Sequence, residues 1–163
     1  PRQKSFGATT KVVAGGTTSV PPRVLFGDLR STSLIHDCPP RILIIEDELL
    51  IALIIEEMVR EIGYRVSGVA HTMAIASQEF AKRNYDAVLL DFNIGGRYHA
   101  ETADHLLGWR VPFAFVTGYD YLVEPRHEKI PVLQKPFTPP QLRALLENLV
   151  GPVSSAGEMA QTA

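Results

Sequence analysis

Residues 41–48 read Arg-Ile-Leu-Ile-Ile-Glu-Asp-Glu, so four apolar side chains run straight into three acids. A near-continuous apolar run of this length is expected of a strand buried on both faces, as in a parallel sheet covered by helices. Such a strand delivers whatever follows it to the carboxyl edge of the sheet. Glu46, Asp47 and Glu48 therefore arrive together at one rim.

Working outward, the pattern changes period at once. From Glu48 to Ile62 apolar residues recur at helical spacing (Leu50, Leu53, Ile54, Met58, Ile62), and Gly63 supplies a C-terminal stop. The apolar run Leu49 to Ile55 is expected to be a buried helix face, part of the core. Arg65–Ala70 reads as a second strand, and Thr72 caps a helix running through Lys82. Asp86–Leu90 is a third strand, His99–Trp109 a helix and Pro112–Val116 a fourth strand. Tyr119–Lys129 is interrupted by Pro125, which breaks a helix there. Val132–Gln134 is a short fifth strand. Thr138, with Pro139 behind it and Gln141 three residues on, opens a final helix. Five strands alternating with helices predict an α/β fold: a doubly wound, flavodoxin-like (βα)5 architecture on a parallel five-stranded sheet, with a shortened or irregular fourth helix.

Three zones follow. Residues 1–40 hold five Pro, four Gly and five Lys or Arg against two Asp, with no sustained period, and read as a disordered tail or linker. Residues 41–150 form the folded domain, and 151–163 a flexible C-terminal tail. The 163-residue chain is 45% hydrophobic and 21% charged with a net charge of -2, ordinary for a globular protein and without the basic balance of a nucleic-acid binder. One cysteine, Cys38, excludes an internal disulfide and suits a reducing, cytoplasmic setting. No apolar run reaches the roughly 18 residues of a membrane helix. Neither Gly15-Gly16 nor Gly95-Gly96 fits a Gly-rich nucleotide motif. His36, His71, His99, His105 and His127 lack metal-ligand spacing and read as surface or satisfied residues; Trp109 reads as packing at a helix end.

In open parallel sheets ligands bind beyond the carboxyl ends of the strands. There the chain places Glu46-Asp47, Asp91, Thr117-Gly118 and Lys135-Pro136. Glu48 is better read as the acid of a helix start. Three carboxylates in one pocket raise one another's pKa or recruit a cation, and a hard divalent ion such as Mg2+ takes such oxygens together with phosphate oxygens. Mg2+ and Lys135 would balance the three acids.

The set IIED, LLDFN, VTG and QKPF, in this order and each at a strand end, resembles the receiver domain of two-component response regulators across about residues 41–150. The run Pro112 to Tyr119 also resembles the alphaproteobacterial single-domain receivers of the FATGUY group, with Val116 where that group has alanine. The resemblance implies that Asp91 is the phosphoacceptor, taking a phosphoryl group from a sensor histidine kinase or a phosphotransfer protein. It implies Mg2+ ligands at Glu46, Asp47, Asp91 and the backbone carbonyl of Asn93. It implies that Thr117 hydrogen-bonds the phosphoryl group, that Gly118 leaves room beside it, that Lys135 pairs with a phosphoryl oxygen, and that the bond before Pro136 is cis. Such a protein is a phosphoacceptor that assists its own phosphorylation and dephosphorylation rather than a turnover enzyme, here without a DNA-binding output. Where receivers often carry an aromatic switch three residues before the lysine, this chain has Val132, with Tyr119 as a substitute. The Pro-broken Tyr119–Lys129 segment is then expected to become ordered on phosphorylation. Three alternatives stay open: the receiver module of a hybrid histidine kinase, a degenerate receiver acting as a binding module, and an aspartate-nucleophile phosphohydrolase. The last is disfavoured by Asn93 at the place of a second catalytic Asp. Downstream partner and oligomeric state are not specified by these residues.

Overall fold

A computed structural model of the chain describes residues 38–118 and 124–153. The tail expectation for 1–37, the substitute switch at Tyr119, and 154–163 lie outside the described residues.

The first apolar run is strand β1 (Arg41–Ile45), followed by α1 (Leu49–Glu61), β2 (Arg65–Ala70), α2 (Met73–Lys82) and β3 (Ala87–Asp91). Two short strands come next, β4 (Asn93–Ile94) and β5 (Arg97–Tyr98), then α3 (Ala100–Gly108) and β6 (Phe113–Thr117). A 3-10 helix at Pro125–His127, β7 (Val132–Gln134) and α4 (Pro139–Val150) complete the order. The main sheet is parallel with strand order β2-β1-β3-β6-β7. The chain thus winds outward from β1 in both directions, which makes the β1/β3 boundary the switch point where α/β proteins bind ligands.

Alternation along the central strands divides the core into two layers. Ile42, Ile44, Ala87, Leu89, Ala114 and Val116 face α1 and α4. Leu43, Ile45, Val88, Leu90, Phe113 and Phe115 face the α2 and α3 side. Each fully buried aliphatic or aromatic side chain contributes about 1.5–3 kcal/mol by leaving water. The register keeps the strand ends flush: Ile45 pairs with Leu90, Asp91 with Val116 and Thr117 with Gln134. Edge strand β2 carries a bulge, since Ile42 pairs with Val66 but Leu43 with Gly68.

Helix boundaries follow local chemistry. Thr72 Oγ1 accepts from Ile75 N at 3.2 Å, and Thr138 N donates to Gln141 Oε1 at 2.8 Å in a capping box. Gly63, at φ 96°, turns the chain after α1 where a side chain would be strained. As expected, no regular helix joins β6 to β7 among the described residues; residues 125–127 make a single 3-10 turn.

Two features depart from expectation. The hairpin β4–β5 was not anticipated; its turn is Gly95-Gly96, both at positive φ (61° and 78°), as a two-residue type I′ turn requires. The Leu49–Ile55 run is also not a buried face. Ala52 and Ile55 are buried, but Leu49, Leu50, Leu53 and Ile54 are half or more exposed. The helix turns 100° per residue, so a run of consecutive apolar residues must place some of them opposite the core.

Candidate functional site

The flush strand ends set Glu46 level with Asp91 and bring Thr117 and Lys135 to the same rim. Carboxylate oxygens of Glu46, Asp47 and Asp91 all lie within 4.8 Å of one another. Lys135 Nζ donates to Glu46 Oε2 at 2.5 Å and to Asp91 Oδ2 at 3.1 Å. Glu46 and Asp91 are buried, as is Thr117. The Thr117 carbonyl accepts from Lys135 N at 2.6 Å, and the Lys135–Pro136 bond is cis. Among the described residues, a Cβ on Gly118 would meet Lys135 Cβ at 3.9 Å, an ordinary van der Waals contact.

Backbone amides hold the acids in place. Asn93 N donates to Asp91 Oδ1 at 3.2 Å, and Gly95 N to Asp47 Oδ2 at 2.8 Å. Glu48 N donates to Glu46 Oε1 at 3.3 Å, and Glu48 itself stands at the N-cap of α1, away from the acid cluster's ligand set. Asn93, two residues past Asp91, opens β4.

The charges do not balance within the protein alone. Burial pushes Glu46 upward; the Lys135 hydrogen bond pulls it down and the Asp91 charge pushes it up, leaving it at about 7. Burial lowers Lys135, but the Glu46 hydrogen bond and the Asp91 and Glu46 charges outweigh this and hold it above its ordinary value. Three hard carboxylate oxygens within 4.8 Å of one another could hold a Mg2+ ion, which takes one or two carboxylates with waters and phosphate oxygens.

Other residues entered the site without a sequence signal of their own. His71 Nδ1 lies 3.0 Å from the Glu46 carbonyl and braces the acidic turn. His99 Nε2 meets the Ile94 carbonyl at 3.1 Å, tying α3 to the hairpin. His127 is fully buried and bonded on both nitrogens, so it is satisfied rather than a surface residue. Gly-Gly between Phe92/Ile94 and Tyr98 was the available hairpin signal. Trp109 packs edge-on against Phe80 at the end of α3, as expected.

No family model matches the chain. The Phyllosphere-induced regulator PhyR of Methylorubrum extorquens is 33% identical over 127 residues, covering 73% of this chain and 46% of the relative. The chain therefore spans about half the length of that curated relative. SdrG from Sphingomonas melonis Fr1 superposes with a TM-score of 0.62 at 36% identity, over 68% of this chain and 96% of that one. The response regulator REC domain of PhyR from Erythrobacter litoralis superposes with a TM-score of 0.60 at 29% identity, over 69% and 90%.

Proposed function

The chain belongs to the receiver domains of response regulators, and on that premise we propose that it accepts a phosphoryl group on Asp91 from a histidine kinase or a histidine phosphotransfer protein. The observation that supports this reading best is the meeting of Asp91, two further acids and the Lys135 ammonium at one strand-end rim.

In this reading an Asp91 carboxylate oxygen attacks the phosphorus of a phosphohistidine. An O–P bond forms as the P–N bond breaks, and the imidazole nitrogen leaves with the electron pair. Asn93 N and Lys135 Nζ hold the two Asp91 oxygens, fixing the carboxylate for in-line approach. Lys135 pairs with one phosphoryl oxygen and the Thr117 hydroxyl donates to another; Gly118 puts no side chain of its own beside them. Glu46, Asp47, Asp91 and the Asn93 carbonyl would hold Mg2+, which when bound neutralises charge on the acids and on the phosphoryl oxygens. The same groups assist hydrolysis of the aspartyl phosphate, so the protein is a signalling phosphoacceptor in the cytoplasm and not a turnover enzyme.

The test is intact-mass spectrometry after mixing the protein with Mg2+ and either acetyl phosphate or a phosphorylated kinase. A gain of about 80 Da, one phosphoryl mass, is expected in the native chain and absent in Asp91→Asn. Failure of the native chain to take up the group from either donor would overturn the reading.

A further inference from the structure

The hairpin β4–β5 touches two distant parts of the molecule. At its turn, Gly95 N donates to Asp47 Oδ2 at 2.8 Å, inside the acid cluster. At its far end, Tyr98 stacks on Phe92 with ring centroids 4.4 Å apart and sets its hydroxyl on Nδ1 of His127. His127 Nε2 meets Asp104 Oδ1 at 2.7 Å, and Asp104 Oδ2 accepts from Arg126 Nη1 at 3.1 Å. An ionised carboxylate only accepts, so Nε2 of His127 carries a proton, and in the neutral imidazole Nδ1 then accepts from the Tyr98 hydroxyl. Phe115 lies edge-on to Phe92, Tyr98 and His127, backing the whole chain of contacts from β6.

We propose that this hairpin is the coupling element of the domain: a cation and a phosphoryl group in the acid pocket act on the turn at 124–128 through Gly95, Tyr98 and His127. The proposal rests on the phosphoacceptor reading and names the regulation of that site. A cation drawn to Asp47 competes directly with the Gly95 amide for the same carboxylate. A two-residue type I′ turn has little slack, so a change at Gly95 is passed along β5 to Tyr98 three residues on. There the load meets the fully buried His127, held on one side by Tyr98 and on the other by Asp104, and a shift of the hydroxyl must move the imidazole or break the bond. His127 lies within the 3-10 helix, with Glu124 O accepting from its own amide and its carbonyl accepting from Ile130 N. Val132, which pairs with Phe115, is aliphatic and adds no ring to this group of contacts.

The test uses amide NMR spectra of the full chain with and without Mg2+ and beryllofluoride. In the native protein, shifts are expected at Gly95 and across Arg126–Ile130. Tyr98→Phe keeps the ring stack and removes only the hydroxyl; Asp104→Asn keeps an acceptor but loses the charge that fixes the tautomer. In both, the Gly95 response should persist while that of 126–130 falls to about half or less. A purely structural role would lower stability and leave the response intact. Undiminished responses at 126–130 in both variants overturn the coupling alone. In a native protein that takes up the phosphoryl mass, no response at Gly95 overturns the coupling alone; no mass gain overturns the phosphoacceptor reading and the coupling with it.

Discussion

Lys135 is one ammonium facing two buried carboxylates, and its removal separates attraction from burial. Lys135→Met would leave Glu46 and Asp91 with no cation at 2.5 and 3.1 Å. Breaking a buried pair from one side is expected to cost about 3 kcal/mol, because the partner charge stays buried. Urea unfolding in EDTA at neutral pH should show the loss, and Glu46→Gln on the same background should restore part of it. A double variant no more stable than Lys135→Met alone would show that Glu46 does not carry the strain. At this scale the acids and the lysine were legible, since each directly follows or ends a strand whose apolar run could be read. His71, Gly95 and His127 were not. Their partners, the Glu46 carbonyl, Asp47 and the Tyr98–Asp104 pair, lie 20 or more residues away in the chain.

Helix α1 shows where element-level reading succeeds and where it fails. Its limits were legible from the period and from Gly63, but its orientation was not, because Leu49 to Ile55 is apolar all round. Only packing against β1 and α4 decides that Ala52, Ile55 and Val59 go inward. The outward pairs Leu49/Leu53 and Leu50/Ile54 form two i,i+4 rows on the far side. Leu50→Gln and Leu53→Gln should each change stability by no more than about 0.5 kcal/mol. Ile55→Ala should cost about 3 kcal/mol through lost burial and the cavity left behind. Chemical denaturation of the three variants checks the assignment, and a large loss in Leu50→Gln would reverse it. The hairpin was hidden for a different reason: two strands of two residues each are too short to show alternation, and only the paired glycines betrayed the turn.

Across the whole molecule, the sheet sorts charge by rim. At the amino edge, Arg41 Nε meets Asp86 Oδ2 at 3.1 Å, and the same guanidinium also contacts Asn84, so charge is matched locally. At the carboxyl edge three acids face one ammonium, and global stability should respond to what balances them. Burial and the Asp91 charge hold Glu46 at about 7 in the fold, against an ordinary 4.5 in the open chain. Between those values the folded state binds more protons than the unfolded state, so stability falls as pH rises. The contribution is fully present below about 4.5 and is lost as pH climbs through about 7. Melting curves in EDTA from about pH 5 to pH 8 should therefore show a decline from this group, which Glu46→Gln removes. Mg2+ should reverse the trend. On the proposed reading it would bind the folded acid cluster and compete with the proton on Glu46, so its stabilisation should grow with pH and reach about 2.7 kcal/mol at a hundredfold excess over Kd. A Glu46→Gln protein that keeps the native pH slope, or a Mg2+ effect equal at both ends of the range, would show that the imbalance at this rim is not what sets the stability of the fold.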